Sequence, residues 1–83
     1  MKLLFFCDAL RIKKFNDVQA ELGRNVRAAR ARGRLTQEAL ADAAGLERSQ
    51  VSLIEREAGN PTLSTLCQLA GALGVTVAQL LTE

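Results

Sequence analysis

Residues 35–57, LTQEALADAAGLERSQVSLIERE, decide the fold, because their pattern predicts two short helices joined by a tight turn. The first helix spans residues 37–44, and Thr36 in front of it is a suitable N-cap. Gly45 follows at once and predicts a left-handed turn that ends the helix. A second helix then covers residues 48–57. The segment is therefore expected to be a compact pair of helices.

The second of these helices distributes its side chains unusually over its two faces. At 3.6 residues per turn, its inner face combines Val51 and Ile54 with an acid, Glu55. A carboxylate within an apolar stripe must be paired or protonated, so Glu55 needs a partner from elsewhere in the chain. The outer face carries Arg48, Ser49, Ser52, Leu53 and Arg56.

Three further helices are predicted, one before this pair and two after it. Apolar residues recur at helical spacing over about residues 17–32, and Gly33 is the expected stop. Thr62 can cap a helix that carries Leu63, Leu66, Leu69, Ala70 and Leu73. A last short helix follows Thr76. The sequence thus predicts an all-α, compact five-helix domain over residues 16–83, preceded by an N-terminal extension, residues 1–15.

The extension can be read in three ways: a helix docked on the bundle, a strand exchanged with a partner, or a mobile arm. It holds all three phenylalanines, Phe5, Phe6 and Phe15. Exposing three large aromatic side chains would be unfavourable, so we expect them to be buried against the domain or a second subunit.

Composition argues against several classes of protein. The 83 residues include no His and only two cysteines, Cys7 and Cys67, without metal-ligand spacing, so we expect no metal, no cofactor and no catalytic site. Cys67 is expected to be a small buried side chain, and both thiols suit a reducing cytoplasm. Neither apolar run is typical of a signal peptide or a membrane span.

Basic residues are concentrated in the first part of the chain. Eight Lys and Arg lie between Arg11 and Arg34 against Asp17 and Glu21, although the net charge is only +2. A basic surface of this kind is what binding to phosphates requires, and the alternative is a helix face that is merely solvated.

Residues 22–81 resemble the phage repressor and Cro type of helix-turn-helix regulator. The resemblance is carried by VRAAR, LTQEALA, VSLIERE, NPTLSTL and ALGV, each at the family's spacing. Within that family the pattern is most similar to the controller proteins of restriction-modification systems, and antitoxin-type and general repressors share nearly the same pattern.

This resemblance implies a sequence-specific transcriptional regulator that binds a pseudo-palindromic operator in double-stranded DNA as a homodimer, with residues 48–57 as recognition helix in the major groove. It implies base contacts by Arg48, Ser49, Ser52 and Leu53. The predicted phosphate ligands are Gln37, Arg56, Asn60, Arg24 and Arg27.

The resemblance also assigns Glu55 its partner, Arg30, in a structural ion pair between the first and third helices. Two positions depart from the family pattern. Glu47 precedes the recognition helix where the family often has Ser or Thr, and no basic residue follows Arg56 in the loop.

Assembly is predicted from the uncharged C-terminal end, whose helices are too short to bury both faces. The expected dimer interface consists of Val75, Val77, Leu80 and Leu81. The alternative function is an antitoxin-type protein-interaction module that neutralises a partner such as a toxin and autoregulates its operon. No feature favours an enzyme or a membrane partner.

Overall fold

The computed structural model describes residues 14–82, which form five helices and, within that range, no strand. The helices are α1 (Phe15–Arg32), α2 (Gln37–Ala44), α3 (Arg48–Glu55), α4 (Leu63–Leu73) and α5 (Val77–Leu81). The predicted all-α, five-helix architecture is therefore confirmed. The predictions for residues 1–13, including burial of Phe5 and Phe6, lie outside the described residues.

Three helices begin at a threonine whose hydroxyl oxygen accepts a hydrogen bond from a backbone amide of the first turn. Thr36 accepts from Ala39 at 3.0 Å, Thr62 from Thr65 at 3.1 Å and Thr76 from Gln79 at 3.0 Å. Such caps satisfy amides that have no partner inside the helix, and each contributes about 1 kcal/mol. The predicted starts of α2, α4 and α5 are thus confirmed.

The helix ends follow the glycines, with one difference. Gly45 and Gly74 adopt left-handed backbone conformations, with φ of 74° and 72°, and end α2 and α4; for Gly45 this is the turn that the sequence predicts. At the end of α1, Gly33 keeps a right-handed conformation with φ of −85°. The left-handed residue is Arg34, with φ of 57°.

The core lies where all five helices meet. Its largest fully buried side chains are Leu40, Leu69, Leu80, Val26 and Val51. Burying an aliphatic side chain of this size contributes about 1.5–3 kcal/mol, so these five dominate the packing. No helix within residues 14–82 combines the length and the apolar character needed to cross a membrane.

The predictions for Cys67 and Leu80 are wrong. Phe15, expected to be buried against the domain or a second subunit, is 57% exposed in the single chain, so it is not buried against the domain, and its burial by a second subunit stays a prediction. Leu63, like Phe15 the first residue of its helix, is 70% exposed. Cys67 is exposed because the inner face of α4 passes through Leu66 and the next turn, leaving position 67 outside. Leu80, predicted at a dimer interface, is only 1% exposed in the single chain, since it fills the core.

Amide side chains hold the short C-terminal helix and the loops in place. The Asn25 amide nitrogen on α1 donates to the carbonyl oxygens of Leu80 at 2.9 Å and Thr82 at 2.7 Å. Gln19 donates to Gly59 in the loop after α3 at 2.7 Å. These bonds satisfy carbonyls that α5 and the loop cannot satisfy themselves.

Candidate nucleic-acid interface

Helix α3 has one buried and one exposed face, as its sequence predicts. Val51, Ile54 and Glu55 are buried against the other helices. On the opposite side Arg48 and Ser49 are exposed, Leu53 is 41% exposed and Ser52 is half-buried. We refer to Arg48, Ser49, Ser52 and Leu53 as the recognition face.

The buried carboxylate of Glu55 is fully engaged. Arg30 donates from Nε to Oε2 at 2.6 Å and from Nη2 to Oε1 at 3.0 Å, a two-pronged ion pair. Its remaining Nη1 donates to the carbonyl oxygen of Leu35 at 2.8 Å. The structure therefore brings Arg30 and Glu55 together and ties α1, the α1–α2 connection and α3 to one another.

The guanidinium of Arg30 stays protonated at every pH at which DNA binding is of interest, because its pKa is raised. The hydrogen bond from Arg30 to Glu55 raises the pKa of the guanidinium, more than burial lowers it. The stability that this rise contributes is present below the ordinary pKa of arginine. It is lost only as the pH rises through the raised value, so it stays constant around neutral pH.

Gln37 lies at the edge of the same cluster. It is the first residue of α2, half-buried, and its Nε2 donates to Glu55 Oε1 at 3.1 Å. An amide nitrogen carries two hydrogens, so one donor remains for another acceptor. The Arg30–Glu55 pair thus fixes the orientation of a side chain whose contact with a phosphate remains a prediction.

The other predicted phosphate ligands differ in their surroundings. Arg56 and Asn60 are exposed at the end of α3 and in the following loop. Arg24 instead donates to Glu21 at 2.9 Å within α1, and Arg27 lies 3.0 Å from Glu57 Oε2. A phosphate would have to compete with an internal carboxylate for either arginine, and both assignments remain predictions.

The contact between Arg27 and the end of α3 was not foreseen. Arg27 precedes Arg30 by one helical turn, but Glu57 follows Glu55 by only two residues, and residues two apart on a helix do not face the same way. Helical spacing alone therefore does not predict this second arginine–acid pair.

Within residues 14–82, no cluster of three metal-ligating side chains occurs. In the same range, neither Arg48 nor Arg56 forms a side-chain hydrogen bond or ion pair. Two eight-residue helices joined through Gly45 therefore carry an exposed, unpaired arginine on the outer face of the second. This arrangement defines the class: a helix-turn-helix DNA-binding domain.

Comparison with known proteins gives the same result. The family described as Helix-turn-helix matches residues 26–80. The chain belongs to this family and is a DNA-binding transcription regulator of the repressor type. The resemblance found in the sequence is thus confirmed.

Two curated relatives are similar over most of this chain. The control protein C.SmaI of Serratia marcescens is 46% identical over 69 residues, which are 83% of this chain and 82% of that protein. The immunity repressor protein of Bacillus phage phi105 is 45% identical over 75% of this chain, but the match spans only 43% of the repressor.

Solved structures share the fold. The hypothetical transcription factor NHTF from Neisseria superposes with a TM-score of 0.77 at 42% identity, covering 81% of this chain and 77% of that one. The restriction-modification controller protein C.AhdI from Aeromonas hydrophila gives 0.72 at 35% identity, covering 75% and 94%.

Proposed function

We propose that the protein binds a pseudo-palindromic operator in double-stranded DNA as a homodimer, with the recognition face of α3 in the major groove. One observation carries this proposal. The recognition face is open, while the opposite face of the same helix is buried and held by the Arg30–Glu55 ion pair. A helix anchored on one side and bearing polar groups on the other suits insertion into a groove.

Each member of the recognition face can read a base edge. Arg48, in the first turn, can donate two parallel hydrogen bonds to O6 and N7 of guanine. Ser49 and Ser52 can bond to either type of base, and the exposed part of Leu53 can pack on a thymine methyl group. Because Arg48 has no internal partner within residues 14–82, binding a base would not break an existing bond.

We propose that phosphate contacts flank this face. Gln37, at the N-terminus of α2, has one free amide donor and adjacent backbone amides that favour an anion. Arg56 and Asn60, exposed beyond the other end of α3, can contact the backbone of the DNA. Contacts to phosphates carry no base preference, so they fix the register of the recognition face.

The homodimer is proposed to form through the C-terminal end. Val75, Val77 and Leu81 pack against the core yet stay partly exposed, which leaves apolar area for a second copy. Leu80 is removed from this interface because it is buried in the single chain. The C2 symmetry of such a dimer would match the two halves of a pseudo-palindrome.

Selection of bound duplexes from a random pool tests this function. The full chain should enrich a pseudo-palindrome with half-site centres about 10 base pairs apart. Enrichment of no sequence, or of a single asymmetric half-site, would contradict the proposal. The antitoxin alternative gains no support from the relatives described above, whose names refer to two control proteins, a repressor and a transcription factor.

A further inference from the structure

Arg27 reaches from α1 to the C-terminal end of the recognition helix. Its Nη1 donates to the backbone carbonyl oxygen of Glu55, the last residue of α3. Its Nη2 lies 3.0 Å from Oε2 of Glu57, two residues beyond. The guanidinium thus uses two separate donors, one for the last residue of the helix and one for Glu57 in the following turn.

The bond to Glu55 completes the hydrogen bonding of the end of α3. Backbone amides that follow the helix satisfy three of its last four carbonyls: Arg56 donates to Ser52, Glu57 to Ile54 and Ala58 to Leu53. For the fourth carbonyl, that of Glu55, the donor within the described chain is the Arg27 side chain. Helix ends need such outside partners for their terminal carbonyls.

Close packing at the same place leaves little freedom for the two helices to shift. A Cβ atom at Gly23 would lie 2.7 Å from the carbonyl oxygen of Ile54 and 2.8 Å from Cγ of Glu57. Gly23 and Arg27 are four residues apart and Arg30 follows three later, so all three lie along one face of α1. That face forms a continuous seam with the C-terminal half of α3.

We propose that Arg27 is a positioning residue of DNA recognition, which fixes the C-terminal half of α3 relative to α1, and not a phosphate ligand. The inference rests on the proposed function of α3. Ser52 and Leu53 of the recognition face lie in the last turn that Arg27 holds, so a shift of this turn moves both away from the bases. The charge of Arg27 is balanced by Glu57, whose backbone is left-handed with φ of 66°.

Binding measurements on Arg27→Ala in the full chain separate the two roles. Affinities for the selected operator and for a random duplex are measured over a series of salt concentrations. The ratio of the two affinities should fall by about tenfold, the order of one base contact, while the salt dependence stays as in the wild type. A matched control, Arg32→Ala, removes the same charge from an exposed position of α1 and should leave the ratio unchanged.

A phosphate ligand gives the opposite result. The slope of log affinity against log salt would then fall by about 0.9 for each Arg27 removed, with the ratio of affinities unchanged. That outcome would overturn the proposal. Arg27→Lys keeps the charge but cannot donate in parallel to two acceptors, so its ratio should lie between those of wild type and Arg27→Ala. If Arg27→Ala fails to fold, a wild-type ratio in Arg27→Lys overturns the proposal.

Hydrogen exchange in the free protein distinguishes failure of this inference from failure of the proposed function. The amides of Arg56, Glu57 and Ala58 should exchange faster in Arg27→Lys or Arg27→Ala than in Arg32→Ala, because the end of α3 has lost hydrogen bonds from the Arg27 guanidinium. Unchanged exchange overturns the inference whatever DNA the protein binds. A wild type that selects no sequence while these amides still respond contradicts the proposed function alone.

Discussion

A single buried carboxylate connects the interior of this protein to its recognition face. Glu55 is 4% exposed, yet it belongs to the same helix as the exposed Arg48 and Ser49. Its two oxygens accept from Arg30 and Gln37, so α1, α2 and α3 meet at one charged group. We therefore expect this shared group to oppose sliding of the three helices against one another.

Removing that carboxylate should be strongly destabilising. In Glu55→Ala, Arg30 keeps its bond to Leu35 but loses a two-pronged acceptor in a largely buried place. We expect the free energy of unfolding to fall by about 3–5 kcal/mol, measured by urea denaturation, because an uncompensated charge is left inside. The double replacement Arg30→Met with Glu55→Leu should recover much of this loss, since no buried charge remains.

Recovery in the double variant should be incomplete. The carbonyl of Leu35 loses its donor, and the amide of Gln37 must turn to water. A double-mutant cycle in which the two single changes are small and strictly additive would contradict this account, because it would mean that both charges are solvated in the folded protein.

At the scale of the element, the sequence predicted most of the helix boundaries. Thr36, Thr62 and Thr76 are local signals, since a cap depends on residues three positions away, and all three were found as expected. The exposure of Phe15 and Leu63 in the single chain could not be predicted, because burial at a helix start depends on what packs across the helix end, which periodicity does not contain. The Arg27 contact was missed for the same reason, because it joins residues 28 and 30 positions apart.

Replacing Gly71, inside α4, and Gly74, at its C-cap, by alanine should change the free energy of unfolding in opposite directions. Gly71 lies within the helix, and a Cβ atom added there would meet nothing within 4 Å, so Gly71→Ala should raise the free energy of unfolding by about 0.5–1 kcal/mol. Gly74 has φ of 72°, and Gly74→Ala should lower it by about 1–2 kcal/mol because a side chain strains the left-handed turn. Thermal denaturation of both variants measures these changes. A shift of the melting temperature in the same direction in both would contradict the prediction.

At the scale of the whole molecule, we propose that the C-terminal end has two different roles, folding and dimerisation. Leu80 closes the core of one chain, and its carbonyl is bound by Asn25, so this residue belongs to folding. Val75, Val77 and Leu81 surround it with partly exposed apolar area. The sequence could not separate these two roles because both need the same residue types in the same short helix.

Val77→Asp should therefore weaken the dimer without unfolding the chain. Position 77 is the first of α5, where an acid suits the helix dipole, but two copies would place like charges in one apolar interface. We expect sedimentation equilibrium at tens of micromolar to show a monomer for this variant and a dimer for the wild type. Ala78→Asp, at an exposed neighbouring position, is the control and should leave the mass unchanged. A Val77→Asp variant that dimerises like wild type would place the interface elsewhere.

Substitution of Arg48 tests how the operator sequence is recognised, because a dimer would carry one Arg48 for each half-site. If each copy binds a guanine through two parallel hydrogen bonds, Arg48→Ala should lose about 1–3 kcal/mol of binding free energy per half-site and relax the preference at that base pair alone. Arg48→Lys restores the charge without the fork and should recover discrimination only in part. As a control, Arg56→Ala should weaken binding to all duplexes alike and lower the salt dependence. Equal weakening of operator and random duplexes by Arg48→Ala, with base preference unchanged, would make Arg48 a phosphate contact and contradict the proposed recognition face.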